Sequence, residues 1–471
     1  MTAWQSSDGT ASTAPTKTWL FATMRRGGRA IYGFDVSDPD TPKVMWRITN
    51  ASTGFAELGQ TWSEPKVTRL KGSYTRPSGG GTVPNPVVLI FGAGYDAAQE
   101  DKPEGAVVTP TMGRGVFVVE AETGQLIKFL SPSNAGFTGA RSFPADVSIL
   151  DLNSDGYVDR IYAGDTNANI FRFDTVQTVT DVTIDSYLLR YHVARLGDIS
   201  NNGSTDARKF MYGPELLPFS QSGTVKVMVL VGSGNREKPL GNFNTDGSLK
   251  TLTCSSLYSD TYYATGSGGK IRNRFYGVLD AIQSGAAENS NTIILESAMH
   301  QINDSSGNLT SYNISASGNG WYIQLRNDPD GNDTRNEENT VNAARVVAGT
   351  VFFATNTPVA PNPSGGVCSN LGEALGYAVD PFTGMPAFNR DDSTSGGVAT
   401  YTLSDYAARV SGGGLPPTVT AGVVSIGGTP YRFCIGICGD DTTAASPVAG
   451  ARSTINLTGT RTRLFWSYGA D

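Results

Sequence analysis

Nine consecutive residues carry the sharpest chemistry in this chain: Asp151-Leu152-Asn153-Ser154-Asp155-Gly156-Tyr157-Val158-Asp159. Side-chain oxygens stand at loop positions 1, 3, 5 and 9, and the Tyr157 carbonyl falls at position 7. That spacing wraps a chain around a hard cation wanting about six to eight oxygen ligands, as Ca2+ does. Gly156, at position 6, permits the tight turn. The expected ligands are Asp151, Asn153, Asp155, the Tyr157 carbonyl and Asp159. Position 12, where a helix–loop–helix calcium site carries Glu, is Tyr162 here, and the flanks FPADVSIL and RIYAG are strand-like. The loop is therefore expected on a β-hairpin. Its three carboxylates crowd one another, so that without a cation their repulsion disfavours the folded turn and links binding to local stability. On this chemistry the simpler role for the ion is structural; a switch is a separate question.

Other chemistry is sparse. The sequence has no GxSxG elbow, Walker loop, helix-opening GxGxxG or HExxH motif, so a hydrolase or nucleotide enzyme has little support. His192 and His300 lack a nearby cysteine or serine partner and read as packed or polar residues. Asp328, Asp330 and Asp333 miss the ion-loop spacing and read as a solvated turn. Gly92-Ala-Gly94 and Gly232-Ser-Gly234 follow apolar strands and read as turns, while Trp19, Trp46, Trp62, Trp321 and Trp466 read as core residues.

The elements that must hold the loop are strands. The chain has 471 residues, 56 of them Gly, with 17% charged and 10% aromatic residues, a balance typical of many short strands joined by Gly-rich turns. Strands are expected at Pro86–Phe91, Val225–Val231 and Val346–Ala354, with helix confined to short stretches such as Ser404–Val410. A frame of aromatic, spacer, apolar residue and acid recurs at Tyr32–Asp35, Phe117–Glu120, Phe171–Asp174 and Tyr377–Asp380, with a looser copy at Tyr276–Asp280. The copies begin 85, 54, 105 and 101 residues apart, one or two multiples of a blade-sized unit of roughly 50. Two copies run into a Thr-Gly turn, VFVVEAETGQLIKFL and YAVDPFTGMPAF, and each reads as the outer hairpin of a blade.

Charge and cysteines bound the partners and the compartment. The net charge is -7, from 36 Lys and Arg against 43 Asp and Glu, with no basic cluster beyond pieces such as Arg25-Arg26, which argues against a nucleic-acid partner. No apolar run is long enough to span a membrane as a helix. Cys254, Cys368, Cys434 and Cys438 suit two disulfides in an oxidising compartment, the rival readings being free thiols or zinc. Residues 1–16 read as a flexible linker whose Met1 is an added start, and residues 17–471 as one domain.

With the loop followed directly by RIYAGDTNANIFRFD, residues 144–174 resemble the signature of the C-terminal domain in the PilY/PilC family of type IV pilus biogenesis proteins. RRGGRAIYGFDVSDP (25–39), VLVGSGNREKPL (229–240), GNGWYIQL (318–325) and the region 346–384 resemble other segments of that family in the same order. The resemblance implies a modified seven-bladed β-propeller, all-β with long Gly-rich insertions. It implies an exported domain, carried through the periplasm to the pilus tip, cell surface or outer membrane. There it supports pilus assembly and twitching motility and restrains retraction when Ca2+ is bound. In that family the aspartates of this loop hold the ion, which carries onto Asp151, Asn153, Asp155, Tyr157 and Asp159. Implied partners are minor pilins, the assembly machinery and a host-cell surface receptor, with an adhesive region upstream. No Arg-Gly-Asp tripeptide occurs, so an integrin-type contact is not supported.

The competing class is a quinoprotein dehydrogenase, because FVVEAETGQL and YAVDPFTG also resemble blades of those calcium- and quinone-binding enzymes. That reading needs the ion beside the cofactor with an open coordination position, whereas the loop here cages it locally and no adjacent cysteines occur.

Overall fold

The computed structural model describes the chain except residues 7–15, 102–107, 132–139, 176–187, 198–206, 237–270, 284–291, 326–337, 358–371 and 436–471. Shorter stretches at 78, 305–306, 316–317, 348, 391–392, 396–397, 411–413, 417, 419 and 427–428 are also left out.

The described residues form five antiparallel sheets arranged as blades. Blade one contains β1 (Thr2–Gln5), β2 (Thr18–Thr23), β3 (Ala30–Asp35) and β4 (Lys43–Thr49). In blade two, β5 (Lys66–Arg69), β8 (Val87–Gly92), β9 (Val116–Glu120) and β10 (Leu126–Leu130) pair in that order. A side hairpin of β6 (Ser73–Thr75) and β7 (Thr82–Pro84) interrupts it, and a one-turn helix, α1 (Ala97–Glu100), follows β8. Blade three is β11 (Ser148–Leu150), β12 (Arg160–Gly164), β13 (Asn169–Thr175) and β14 (Leu188–Arg195). Blade four is β15 (Glu215–Gln221), β16 (Thr224–Gly232), β17 (Arg274–Asp280) and β20 (Gly320–Gln324). Short parallel strands, β18 (Ile294–Leu295) and β19 (His300–Gln301), extend the outer edges of blades three and four. Blade five sets β21 (Asn339–Thr340) and β22 (Arg345–Val347) side by side on β23 (Thr350–Thr357), followed by β24 (Glu373–Val379) and β27 (Ala407–Arg409). Two hairpins complete the described strands: β25 (Thr394–Ser395) with β26 (Val398–Ala399), and β28 (Thr420–Ile426) with β29 (Thr429–Ile435). First strands of successive blades lie together, β1 by β5, β11 by β15 and β15 by β22.

The core lies between blades, which explains why the second strands are continuous apolar runs. Successive side chains on a strand point to opposite faces, and here both faces are covered. In β8, Leu89 and Phe91 pack with Phe21, Trp46 and Phe117 toward blade one, while Val88 and Ile90 pack with Phe143, Ile161 and Phe171 toward blade three. In β16, Val227, Val229 and Val231 join Tyr191 and Phe210, whereas Met228 and Leu230 join Trp321 and Phe353.

All five copies of the aromatic-to-acid frame fall on the third strand of a blade, β3, β9, β13, β17 and β24. In four of them the acid fixes the turn that follows. Asp35 accepts the Ser37 amide, Asp280 the Ile282 amide and Asp380 the Phe382 and Thr383 amides, while Glu120 accepts the Thr123 hydroxyl. The two Thr-Gly turns are gripped from the preceding blade by tryptophan. Trp46 Nε1 donates to the Ala121 carbonyl and Trp321 Nε1 to the Pro381 carbonyl, both at 3.0 Å. Each ring lies where glycine alone leaves room: a Cβ at Gly33 would stand 2.5 Å from Trp46, and one at Gly277 2.4 Å from Trp321.

The all-β blade architecture is as expected, and the described residues form five blades and three separate two-stranded hairpins. Other expectations are corrected. Thr2–Gln5 is a strand and not linker, because Trp4 packs against Trp19 with tilted rings whose centroids lie 4.5 Å apart and the segment pairs with β2. The single strand expected over Val346–Ala354 is a hairpin that turns at Gly349, whose φ is 85°. Leu403–Asp405 forms one 3-10 turn and Ala407–Arg409 a strand, where a short helix was expected. VFVVEAETGQLIKFL forms the β9–β10 hairpin, but YAVDPFTGMPAF returns only as a bridge between Val379 and Pro386. Cys254, Cys368 and Cys438, the 328–333 turn and Trp466 lie outside the described residues, and Cys434 is described for its backbone alone. No helix among the described residues is long and apolar enough to cross a membrane.

Candidate metal centre

β11 and β12 pair with Leu150 opposite Arg160, so residues 151–159 close a hairpin and all five candidate ligands fall in its loop. Ser154 (φ 59°) and Gly156 (φ 89°) turn the chain twice in three residues. Backbone amides then orient the side chains inward. Asp151 accepts the Asp155 amide through Oδ1 at 3.2 Å and the Gly156 amide through Oδ2 at 2.9 Å. Asn153 Oδ1 accepts the Asp155 amide at 2.9 Å, Asp155 Oδ1 the Tyr157 amide at 3.1 Å and Asp159 Oδ2 the Leu152 amide at 2.7 Å.

The electrostatics show the strain of three carboxylates in one turn. Burial pushes the Asp159 carboxyl above its usual range, and the charges of Asp151 and Asp155 push it further the same way. Burial also acts upward on Asp155, but there it is outweighed: Lys71, from the turn between β5 and β6, places Nζ 2.9 Å from Asp155 Oδ2 and holds that carboxyl below its usual range. The ammonium also stands 5.8 Å from the centre of the Tyr157 ring, and the Val158 amide donates to the Arg69 carbonyl at 3.1 Å. Blade two thus supplies both a backbone tether and a cation to the loop.

The loop base is fixed to a buried ionic network. Thr175 donates its amide to the Asp159 carbonyl and its hydroxyl to the Val158 carbonyl. Next to it, Asp174 receives Arg172 through Nε and Nη2, both at 2.7 Å, while Arg172 Nη1 reaches Asp280 of blade four at 2.7 Å. Tyr162, in the position an EF-hand gives to Glu, is buried and donates its hydroxyl to the same Asp280. His192 is buried and stacked on Phe171, with Nε2 3.0 Å from Asn169 Oδ1, a packed residue. Lys71, Arg172 and Asp280 escaped the sequence reading; for Asp280 the acid of the looser frame was the available signal.

In donor chemistry this set fits Ca2+: three carboxylates, one side-chain amide and one main-chain carbonyl, all hard oxygens carrying an excess of negative charge. In the present conformation the carboxylates face amides and Lys71, and among the described residues no three His, Cys, Asp or Glu side chains are gathered tightly enough to cage an ion. The residues that would hold it are Asp151, Asn153, Asp155, Tyr157 and Asp159, and the ion would neutralise the repulsion that Asp159 registers.

Residues 8–187 match the PilY1 beta-propeller domain family. The type IV pilus biogenesis factor PilY1 of Pseudomonas aeruginosa strain UCBPP-PA14 is 31% identical over 160 residues, covering 34% of this chain and 11% of the relative. A PilY1 homolog of Xylella fastidiosa strain Temecula1 is 24% identical over 435 residues, covering 87% of this chain and 24% of the relative. The chain therefore spans about a tenth to a quarter of the length of these relatives. The crystal structure of the Pseudomonas aeruginosa PilY1 C-terminal domain shares the fold, with a TM-score of 0.58 at 18% identity over 90% of this chain and 79% of that one. On these matches and the blade architecture, this chain has the fold of the PilY1 C-terminal domain, and its residues 8–187 are similar to the PilY1 beta-propeller domain of type IV pilus biogenesis factors.

Proposed function

We propose that this domain serves type IV pilus biogenesis at the cell surface or pilus tip, binds Ca2+ through the Asp151–Asp159 hairpin, and restrains pilus retraction when the ion is bound. The observation that carries the calcium part is the loop itself: five oxygen donors at ion-wrapping spacing, closed by a β-hairpin in which backbone amides aim the side chains inward. Similarity to the PilY1 beta-propeller domain supports the pilus part, with minor pilins and the assembly machinery as partners and an adhesive contact to a host surface as a further role of the same domain. We assign no catalysis.

The route from ion to partner runs through contacts already described. An ion that pulls Asp155 and Asp159 inward draws on Lys71 of blade two and on the Thr175–Asp174–Arg172–Asp280 chain into blade four. Binding thereby firms one edge shared by three blades, the surface through which the retraction machinery is opposed. The test is an Asp155→Ala chain in its full-length host protein. We expect pili to form but to retract without the calcium-dependent restraint; normal retraction in a variant shown to have lost calcium leaves the ion as structural glue and removes the switch.

A further inference from the structure

A second oxygen-lined site lies away from the loop, between blades four and five. Glu338 precedes β21 and is 1% exposed. Its Oε1 accepts two hydroxyls, from Thr355 at 2.5 Å and Tyr377 at 2.7 Å, while its Oε2 has no hydrogen-bond partner. Antiparallel pairing sets Asn339 opposite Asn356 and Thr340 opposite Thr355. Glu338, Thr340, Thr355 and Thr357 therefore project from one face of the two strands. Thr340 and Thr357 are each 1% exposed, and their hydroxyls also lack partners. Of the twelve buried side-chain polar atoms without a hydrogen-bond partner among the described residues, three are thus oxygens gathered on this one small face.

That face meets blade four. A Cβ at Gly232 would stand 2.3 Å from Thr340 Oγ1, the Thr340 amide donates to the Ser233 carbonyl, and Asn273 Nδ2 donates to the Glu338 carbonyl. Tyr377 and Glu373 of β24 are the titratable groups that act on Glu338, and Glu373 carries the same sign of charge. Among the described residues no cation faces Glu338, although isolated charges are seldom buried uncompensated.

We propose that this interblade site takes a hard monovalent cation, sodium or potassium, held by ionised Glu338 with the Thr340 and Thr357 hydroxyls. One carboxylate with neutral hydroxyls gives a net charge of minus one when ionised, which suits a monovalent ion better than Ca2+; burial favours the protonated carboxyl, the two hydroxyls donated to Oε1 offset that in part, and a bound cation would complete the offset. The ion satisfies the three oxygens and joins the first strand of blade five to blade four. A water with a protonated Glu338 would also satisfy the oxygens, and it predicts a different response to salt.

The experiment is thermal unfolding of the full chain at pH 8 with calcium fixed at saturation. Sodium or potassium chloride is compared with tetramethylammonium chloride at equal ionic strength. An ion that binds only the folded state raises the midpoint with its concentration, here by about 2 °C or more between roughly 10 and 200 mM. Glu338→Gln should keep the fold and lose that dependence. Equal midpoints in the three salts, or a dependence that survives in Glu338→Gln, overturns the site. Should the variant fail to fold, rubidium in crystals of the unaltered chain decides: an anomalous peak between Glu338 and Thr357 supports the site, and its absence overturns it.

Discussion

Lys71 is the residue on which the calcium chemistry turns most specifically in this chain. Its ammonium already sits on Asp155, so an incoming ion must compete with a resident charge. Lys71 is about half exposed, and such surface pairs are weak, so the competition is modest. We expect Lys71→Gln to tighten calcium binding by about two- to fivefold, the ratio that a weak surface pair corresponds to; calorimetric titration of both proteins checks it, and unchanged affinity removes the competition. Residues of the loop itself were legible in the sequence because their arrangement is local: nine residues fix both the spacing and the turn. Lys71 was not, since a lone lysine 84 positions from Asp155 carries no pattern.

Among elements, the tryptophan grips are the contacts whose loss should be felt most. Trp321 is fully buried, fills the space above Gly277 and bonds the turn of the next blade. Trp321→Phe removes that bond and part of the packing, and Gly277→Ala drives a methyl into the ring. Each should lower stability by about 1–3 kcal/mol, read from urea midpoints at constant slope. The aromatic-to-acid frame that marked the blades proves to be a third strand plus its turn cap, which is why it survived as a repeat: one strand face must fill an interblade core and one acid must fix a turn. Elements set by distant partners were harder to read. The apolar run Val346–Ala354 hides a turn, since buried strands on either side of Gly349 look alike in sequence, and Thr2–Gln5 becomes a strand only through its pairing with β2. The network from Arg172 to Asp280 joins residues 108 apart, and no spacing rule reaches that far.

For the molecule as a whole, three buried groups carry large shifts within the ordinary pH range. Burial raises Glu338 to about 7 and Asp165 to about 6, and lowers His192 to about 4. A raised carboxyl contributes stability that is full below its unfolded value and is lost as pH climbs through the folded one, so Asp165 acts against stability from about 4 to 6 and Glu338 from about 4.5 to 7. Neutral His192 works oppositely: its contribution is full above 6.5 and is lost as pH falls through about 4. The Asp165 and His192 trends largely offset between pH 4 and 6, leaving Glu338 to dominate above. In buffer free of sodium and potassium, we expect stability to fall by about 1 kcal/mol from pH 6 to 8, and Glu338→Gln to abolish the fall. Urea unfolding at the two pH values checks it; an equal fall in the variant assigns the slope elsewhere.

Calorimetric titration of calcium into the chelator-treated chain, beside Asp151→Ala and Asp159→Ala, tests the calcium hairpin most directly. Saturable binding in the micromolar range is expected for a responsive site with this charge count, abolished in both variants while their sheets still unfold cooperatively. An absence of binding to the unaltered chain, or affinity unchanged in both variants, would contradict the assignment of Asp151, Asn153, Asp155, Tyr157 and Asp159 as the ion's ligands.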